Sequence, residues 1–399
     1  MKSDSSALGG CNAKLGKLVK GWTVMRSRIL MGSVCALAFA ATSAMAAREF
    51  NGSIWFPDTH PLTKAYLDWV KRLDAASKGE LKAKIFTATA LLPPNAHLSG
   101  LKDGIAQVTY HAGTYTPTEL PEDNVMSMLA LGYSDTMALA FAVTDFYMTD
   151  PEMLERFKRH RIVFAGGYAT PPYNLMCTKK VATLSDLKGL KIRMPGVIHA
   201  DWAKSIGAVP VSVPSTEMFT GLEKGQLDCA ANAANDLKSR SLWDVAKHTS
   251  QISVGVYWAG WQWAFNGGFW KELKPDERRI LLDTVADSIP PMVLGYMKDS
   301  DEAITEAPSK GVTIYPETDE MRKSVQDFNA KVARTQAIEQ GTSKFKLKDP
   351  EGLIKRFEAT IAKWDGLLKG VDRKDPVPLA KVLKDNVYSK IDVNTYGVY

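Results

Sequence analysis

Short strand-like segments that alternate with helical segments of about ten residues constrain the fold of this chain most. In its middle third, residues 190–195 (LKIRMP), 209–213 (VPVSV) and 227–233 (LDCAANA) have the composition of strands. The segments between them, 199–207 and 216–225, read as helices. Strands that run in the same direction need a crossover connection of about a dozen residues, usually a helix. The pattern therefore predicts an α/β fold with a mainly parallel sheet.

The same alternation begins near Phe50, and helices dominate the last third of the chain. Residues 252–266 (ISVGVYWAGWQWAFN) form an unusually long β-like run, which we expect to cross between two domains. The last 130 or so residues are predicted to be mainly helical, beginning at Pro275. Pro290 and Pro291 should kink or split the first of these helices, because proline lacks the donor N–H and crowds the preceding turn.

Residues 1–46 have the character of a leader. From Met25 the chain runs through two arginines and a short apolar stretch to Ala44-Met45-Ala46, which is the tripartite form of a secretory signal. The apolar stretch is shorter than the roughly 20 residues of a transmembrane helix. We expect translation to begin at Met25, cleavage after Ala46 and export of the remaining 353 residues to the periplasm.

The net charge of +6 belongs to this leader. Residues 1–46 hold six Lys and Arg residues against one acidic residue, and the chain beyond Ala46 has 44 basic and 43 acidic residues. A body so nearly neutral excludes a strongly basic nucleic-acid-binding protein.

Two cysteines, Cys177 and Cys229, lie beyond the leader. Both stand in apolar strand-like segments. They could bridge in an oxidising compartment or remain as two buried thiols, and the sequence leaves both possibilities open.

Motifs that carry catalytic or metal chemistry are absent from the sequence. It contains no GxSxG, HExxH, CxxC or GxGxxG motif, and its six histidines are scattered. We therefore expect no metal, no cofactor and no enzymatic activity. Glu119 and Glu122 are the nearest approach to an acid/base pair, and a solvated loop is the simpler interpretation of residues 117–123.

Segments of the middle third resemble the solute-receptor subunits of TRAP transporters, the tripartite ATP-independent periplasmic uptake systems. Residues 186–195 (DLKGLKIRMP) and 206–211 (IGAVPV) are similar to that family's strand ending KGLKIR-x-P and its GA-x-P turn. Residues 214–232 (PSTEMFTGLEKGQLDCAAN) are similar to its next helix and to a strand that ends near Asn. A weaker likeness extends over nearly the whole chain beyond the leader.

The resemblance implies a two-lobe periplasmic binding protein of the Venus-flytrap type, with crossing strands between the lobes, a long bridging helix and a helical C-terminal third. It implies capture of a small organic acid without catalysis, and delivery to TRAP membrane permease subunits driven by an ion gradient. We expect a monomer. The expected segments are lobe I at 47–171 with about 258–300, lobe II at 172–257 with about 301–345, and a C-terminal helical segment at 346–399 that packs on the lobes.

Arg193 is the residue that we expect to bind the ligand carboxylate. Along LKIRMP the apolar residues alternate with Lys191 and Arg193, and Pro195 then ends the strand's hydrogen bonding. An arginine at the carboxyl end of a strand in an α/β sheet lies where ligands bind, and its planar fork suits a carboxylate. The resemblance implies the same role for Arg193 and a supporting role for Asn232.

Departures from the family pattern favour a monocarboxylate with an apolar or aromatic body. Tyr173 and Asn174 stand where receptors for dicarboxylates and sialic acid carry a second arginine, and residues 228–232 (DCAAN) lack the usual glycine and glutamate. At least one tryptophan of residues 257–265 is expected to line the cleft, although a packed hinge core is the simpler interpretation of any single one. The candidate ligand-binding residues are Arg193, Asn232, Tyr173, Asn174, His111, Tyr110, Tyr115, Trp258, Trp261 and Ser215.

Two alternatives remain open at this point. One is a periplasmic enzyme that acts on small organic acids on the same scaffold. The other is the receptor of an ATP-driven importer or the sensing module of a signalling system, which differs from a TRAP receptor only in its partner.

Overall fold

Two mixed sheets organise residues 47–399, the part of the chain that the computed structural model describes. The expected start at Met25 and the signal sequence lie outside the described residues. The strands are β1 (Arg48–Ser53), β2 (Leu81–Phe86), β3 (Val108–Ala112), β4 (Ile162–Gly166), β5 (Asn174–Cys177), β6 (Lys191–Arg193), β7 (Val209–Val211), β8 (Cys229–Asn232), β9 (His248–Ser250), β10 (Gly260–Asn266) and β11 (Thr313–Tyr315). The helices are α1 (Pro61–Ala76), α2 (His97–Lys102), α3 (Pro121–Ser127), α4 (Thr136–Thr149), α5 (Pro151–Arg159), α6 (Val197–Ser205), α7 (Met218–Glu223), α8 (Asp236–Ser239), α9 (Gly267–Glu272), α10 (Pro275–Glu306), α11 (Asp319–Phe328), α12 (Arg334–Ser343), α13 (Pro350–Leu367) and α14 (Pro376–Asn386).

Each sheet contains one strand that runs against all the others. The first sheet has the order β2-β1-β3-β10-β4, and β10 pairs antiparallel with both β3 and β4. The second has the order β11-β9-β5-β8-β6-β7, and β5 pairs antiparallel with both β8 and β9. The remaining pairs are parallel. The α/β class with mainly parallel strands is therefore confirmed.

These two exceptional strands are the ones that follow a crossing between the sheets. The chain leaves β4 and enters the second sheet at β5, and it leaves β9 and re-enters the first sheet at β10. In both cases it arrives at the edge where the parallel strands end, so the new strand must run the other way. Because the chain crosses from one sheet to the other at this edge, the carboxyl ends of the parallel strands of both sheets lie close together.

The two crossing segments, residues 167–173 and 251–259, lie side by side. The Thr170 N–H donates to the carbonyl oxygen of Tyr257 at 2.9 Å, and the Tyr173 N–H donates to that of Gly255 at 2.8 Å. Residues 251–259 form this extended link, and the regular strand begins only at Gly260. The long β-like run predicted at 252–266 is therefore part crossing segment and part strand.

A disulfide joins Cys177 to Cys229. The two residues stand directly opposite each other on the antiparallel pair β5 and β8, and both are fully buried. The structure thus decides between the two possibilities that the sequence left open. The bridge lies three residues before Asn232 along β8.

The last third is helical, as predicted, and its first helix is not split. The helix α10 runs through Pro290 and Pro291 for 32 residues and packs mainly on α1 and α14. The neighbouring Ile289, Met292 and Val293 are buried, so packing outweighs the loss of the proline donors. Within residues 47–399, no helix has both the length and the apolar character needed to cross a bilayer.

Candidate functional site

An enclosed cavity lies at the edge where the strands of both sheets end. Its walls are Trp55, Phe56, His60, Leu62, Tyr110, Ala112 and Tyr115 from the side of the first sheet, Thr170, Tyr173 and Tyr257 from the crossing segments, Arg193, Pro195, Ser215 and Asn232 from the side of the second sheet, and Tyr296 from α10. Its volume is about 20 Å³, room for little more than one water molecule. The walls are therefore nearly in contact, and a ligand can enter only when they separate.

Arg193, the last residue of β6, is the cation of this cavity. Its residue is 2% exposed. Nε donates to the Val213 carbonyl at 3.1 Å, Nη1 to the Ala231 carbonyl at 3.0 Å and Nη2 to the Tyr115 hydroxyl at 3.1 Å. A guanidinium has five N–H donors, so two of them remain available.

Among the described residues, no carboxylate oxygen lies within 4.0 Å of a guanidinium nitrogen of Arg193. Removing a cation from water without an anionic partner is unfavourable, and neutral acceptors offset this only in part. Arg193 is thus fixed in place by neutral groups and still lacks a counter-ion. This arrangement is suited to an anion that arrives from outside.

Tyr115 ties the guanidinium to both walls. Its hydroxyl oxygen accepts from Arg193 Nη2 and, at 2.9 Å, from the backbone N–H of Ser215. Its ring stacks on Trp55 with centroids 5.6 Å apart and an interplanar angle of 27°. Since Trp55 follows β1 and Ser215 belongs to the second sheet's side, Tyr115 connects the two halves across the cavity.

Aromatic rings form most of the remaining surface of the cavity. Tyr173 and Tyr257 stack with an interplanar angle of 6° and centroids 6.4 Å apart. Tyr110 packs against Trp55 and Phe56. Burial raises the pKa of the Tyr110, Tyr173 and Tyr257 hydroxyls above their usual value, so these groups stay protonated and neutral.

A polar network centred on Asp236 closes one end of the cavity. The Asp236 carboxylate pairs with Arg240 Nε at 3.1 Å, accepts from Asn232 Nδ2 at 2.7 Å and lies 3.5 Å from His60 Nε2. Burial raises the Asp236 pKa, and the charge of Arg240 opposes that shift. Burial and Arg240 hold the His60 pKa well below its usual value, so His60 is neutral. Arg240 therefore has a direct carboxylate partner, whereas Arg193 acts on Asp236 only at longer range.

Further contacts join the two walls. Thr114 Oγ1 donates to the Pro195 carbonyl at 2.9 Å, and Thr59 Oγ1 donates to the Ser239 carbonyl at 2.8 Å. The Arg240 guanidinium lies over the Phe56 ring, 4.8 Å from its centroid. Each of these contacts pairs a residue on the first sheet's side with one on the second sheet's side.

Six of the ten candidate residues share this cavity: Tyr110, Tyr115, Tyr173, Arg193, Ser215 and Asn232. Four lie elsewhere, namely His111, Asn174, Trp258 and Trp261. His111 and Asn174 follow Tyr110 and Tyr173 directly, and successive side chains of an extended chain point to opposite sides. The His111 ring packs on Trp261, and Asn174 Nδ2 donates to the Ile252 carbonyl at 3.2 Å.

The two candidate tryptophans belong to the hydrophobic core. Trp258 contacts Tyr133 and Phe357, each with centroids 5.9 Å away. Trp261 Nε1 donates to Thr109 Oγ1 at 3.2 Å. Both are fully buried and neither lines the cavity, so the simpler interpretation of a packed core describes them. The tryptophan of the cavity is Trp55, which the sequence reasoning did not single out although it directly follows a strand.

The interpretation of residues 117–123 as a solvated loop is wrong for Glu122. This residue lies in α3, is 2% exposed and faces Arg156 and Arg159. Burial raises the pKa of its carboxyl. Glu122 is not among the residues that line the cavity, and neither is Glu119.

Two mixed sheets joined by crossing segments, with a buried cation in the cavity between their strand ends, define a two-lobe binding protein. Residues 52–340 match the family model of the bacterial extracellular solute-binding proteins, family 7, named DctP. The chain belongs to this family, which consists of solute receptors and not of enzymes. The resemblance to TRAP solute receptors is thereby confirmed.

Curated relatives cover most of the chain at low identity. A solute-binding protein of Albidiferax ferrireducens is 26% identical over 306 residues, which is 74% of this chain and 87% of the relative. The C4-dicarboxylate-binding periplasmic protein DctP of Shewanella loihica is 22% identical over 272 residues, or 67% of this chain and 79% of the relative.

Solved structures of TRAP solute-binding proteins share the fold. One from Rhodoferax ferrireducens, in complex with copurified benzoate, has a TM-score of 0.72 at 20% identity and covers 80% of this chain and 99% of its own. One from an unidentified marine microbe, in complex with 3-hydroxybenzoate, has a TM-score of 0.69 at 19% identity, with coverage of 80% and 99%. The two-lobe fold class is confirmed.

Proposed function

We propose that this protein is the periplasmic receptor of a TRAP transporter and that its ligand is a small monocarboxylate with an apolar or aromatic body. The observation that carries the proposal is Arg193: a buried guanidinium with two available donors and no carboxylate partner among residues 47–399, inside a cavity walled by aromatic rings. The ligand carboxylate would supply the missing charge.

The chemistry of a guanidinium favours a carboxylate. The planar fork can donate two parallel hydrogen bonds to one carboxylate, and such charged bonds are roughly twice as strong as neutral ones. Closure of the cavity excludes water, which strengthens the pair further. Because Val213, Ala231 and Tyr115 already hold the guanidinium, little side-chain freedom is lost when the ligand binds.

The charges of the cavity favour one carboxylate in the ligand. Arg240, the second arginine nearby, is paired with Asp236. A second ligand carboxylate at that end would face the Asp236 carboxylate without a free cation. The aromatic walls favour a flat apolar body, and the benzoate and 3-hydroxybenzoate bound by the two structural neighbours are ligands of this kind.

Capture would proceed by separation and closure of the two halves about the crossing segments. The tripartite leader before Ala47 supports export to the periplasm, and family membership supports delivery to TRAP permease subunits driven by an ion gradient. Tyr110, Tyr115, Tyr173, Ser215 and Asn232 are the proposed contacts besides Arg193.

A thermal-shift screen over organic acids tests this proposal. A ligand at 100 times its Kd stabilises the native state by about 2.7 kcal/mol, which corresponds to a Tm increase of about 4 °C for a chain of this length. Aromatic monoacids should produce this shift and aliphatic dicarboxylates should not. Recovery of the bound acid unchanged after prolonged incubation would distinguish a receptor from an enzyme, since an enzyme would convert it.

Substitution of Arg193 then tests the site. Arg193→Ala should cost at least about 2 kcal/mol of binding free energy, or roughly 30-fold in Kd, because the buried carboxylate loses its partner. Arg193→Lys keeps the charge and should recover only part of the affinity, since it lacks the fork. Arg72→Ala removes an exposed arginine and serves as the matched control. Undiminished calorimetric affinity in Arg193→Ala would remove this residue from the site.

A further inference from the structure

The hydroxyl of Tyr296 is a polar group of the cavity that the proposed function does not use. Tyr296 lies on α10, its residue is 2% exposed and it lines the cavity. Three other tyrosines of the cavity engage their hydroxyls in hydrogen bonds: Tyr110 with Tyr168, Tyr115 with Arg193 and Ser215, and Tyr257 with Thr114. For the Tyr296 hydroxyl, the described residues provide no hydrogen-bond partner.

A phenylalanine at position 296 would form the same aromatic wall without this unsatisfied group. The Tyr296 hydroxyl is not one of the fully enclosed polar atoms without a partner, so water can still reach it, but it has no partner within the described protein. A polar atom of a bound ligand would supply that partner. The hydroxyl is therefore placed to recognise a feature of the ligand other than its carboxylate.

Tyr296 and Arg193 have different surroundings within the cavity. The Tyr296 ring stands edge-on to His60, with centroids 5.5 Å apart and an interplanar angle of 71°. Burial raises the Tyr296 pKa, and Tyr173 and Asp236 raise it further while Arg240 lowers it. Tyr296 thus lies near the Asp236 network, whose carboxylate also feels the charge of Arg193. Arg193 bonds to Val213, Ala231 and Tyr115 instead.

The charge of Asp236 limits what the ligand can present at this end. Its only close cationic partner among the described residues is Arg240, and its carboxylate already accepts from Asn232. An additional anion would be repelled there. Since Asn232 donates through Nδ2 to Asp236, its Oδ1 remains an acceptor beside the same carboxylate. A neutral hydroxyl, which both donates and accepts, matches this end better than a carboxylate or an ammonium group does.

We propose that Tyr296 hydrogen-bonds a hydroxyl group on the body of the ligand, apart from its carboxylate, so that the preferred ligands are hydroxylated aromatic monoacids. The inference rests on the proposed function, because a carboxylate at Arg193 fixes which end of the ligand meets Tyr296. It makes Tyr296 a specificity-determining residue contributed by the long helix.

Matched pairs of acids test the assignment. The probes are benzoate with its 3- and 4-hydroxy derivatives and phenylacetate with its 3- and 4-hydroxy derivatives, titrated calorimetrically into the wild type and Tyr296→Phe. The wild type should prefer at least one hydroxylated member by about fivefold or more over its parent acid. Tyr296→Phe should reduce that preference to less than about twofold, because the affinity for the hydroxylated acid falls more than the affinity for its parent.

Tyr388→Phe is the matched control. The Tyr388 hydroxyl is also buried, but it donates to the Ala165 carbonyl at 2.7 Å, and Tyr388 does not line the cavity. This variant should keep the ligand preference and melt at a lower temperature, because a hydrogen bond is lost. Unliganded Tyr296→Phe should melt no lower than the wild type, since no bond within the protein is removed.

The possible failures have different meanings. If the preference persists in Tyr296→Phe, or if the wild type binds parent and hydroxylated acids equally in both series, the role of Tyr296 is refuted and the proposed function stands. If the wild type binds no member of either series, the aromatic monoacid ligand is itself refuted, and the role of Tyr296 falls with it.

Discussion

Removal of the disulfide between Cys177 and Cys229 should weaken the protein by an amount that follows from its place in the chain. The two residues are 52 apart in sequence, and the bridge prevents the unfolded chain from opening this loop. The chain-entropy relation then gives about 4 kcal/mol of stabilisation at 25 °C. At roughly 2.1 cal/mol/K of unfolding entropy per residue, this corresponds to a decrease in Tm of about 5 °C for residues 47–399.

Urea unfolding of the Cys177→Ala/Cys229→Ala double variant, compared with the oxidised wild type, measures this loss. The m-value should also rise, because the unfolded chain without the bridge exposes more surface. The wild type refolded under reducing conditions provides a second measurement that leaves the side chains in place. These two cysteines are the only ones beyond Ala46, so the reductant acts on a single bridge.

Ligand affinity well below the melting temperature serves as the internal control. Strands β5 and β8 keep their hydrogen bonds around the bridge, and Arg193 lies on β6, so the cavity should be preserved. An unfolding free energy within about 1 kcal/mol of the oxidised wild type would refute the reasoning from loop closure. If the folded double variant bound the ligand much more weakly than the wild type, the disulfide would shape the cavity as well as stabilise the fold, and the assignment of a purely stabilising role would be refuted.

Three further predictions follow. Burial holds the pKa of His97 at about 4 and that of His199 at about 3, so both stay neutral when folded and take up a proton when unfolded below pH ~6.5. Stability by urea unfolding should therefore fall between pH 6.5 and 4 by about 1.4 kcal/mol per pH unit for each histidine, and an unchanged value at pH 5 would contradict this. Tyr115→Phe should weaken acid binding about tenfold in calorimetry and also lower Tm, because Arg193 and the Ser215 N–H both lose the hydroxyl that accepts from them; full affinity would show that the carbonyls suffice. Gly255→Ala should destabilise the protein by more than about 2 kcal/mol in urea unfolding. Residue 255 has φ of +77°, and a Cβ would lie 2.3 Å from the Ala130 carbonyl oxygen. Wild-type stability of this variant would show that the crossing segment can shift at little cost.

Most elements that display a periodic face were predictable from the sequence. The helix α13, for example, lies in the segment predicted to be mainly helical and carries Leu353, Phe357, Ile361 and Trp364 on one buried face. The helix α4 escaped prediction because 13 of its 14 residues are buried, so its sequence has no polar face to mark the period. The strand-end position of Arg193 was also predictable, since Pro195 and the alternation of LKIRMP are local features.

The composition of the cavity depended on packing that no local pattern records. Alternation separates Tyr110 from His111 and Tyr173 from Asn174, but it does not say which member of each pair faces the cavity and which faces the core. For the same reason, the sequence predicted Trp258 and Trp261 as cavity residues, whereas in the structure both are buried in the hydrophobic core.

The sequence alone predicted a leader and determined the alternating strands and helices, the family membership and the one arginine at a strand end, because each of these depends on residues close together in the chain. Only the tertiary structure decided that Cys177 bonds to Cys229, that Arg240 has Asp236 as a direct carboxylate partner while Arg193 has none, and that Trp55 and Tyr296 meet around one cavity. Each of these contacts is between residues separated by tens to hundreds of positions in the sequence. Their distances are set by strand register, by the reversal of β5 and β10 at the crossings and by how α10 packs, and none of these is written in any local stretch of sequence.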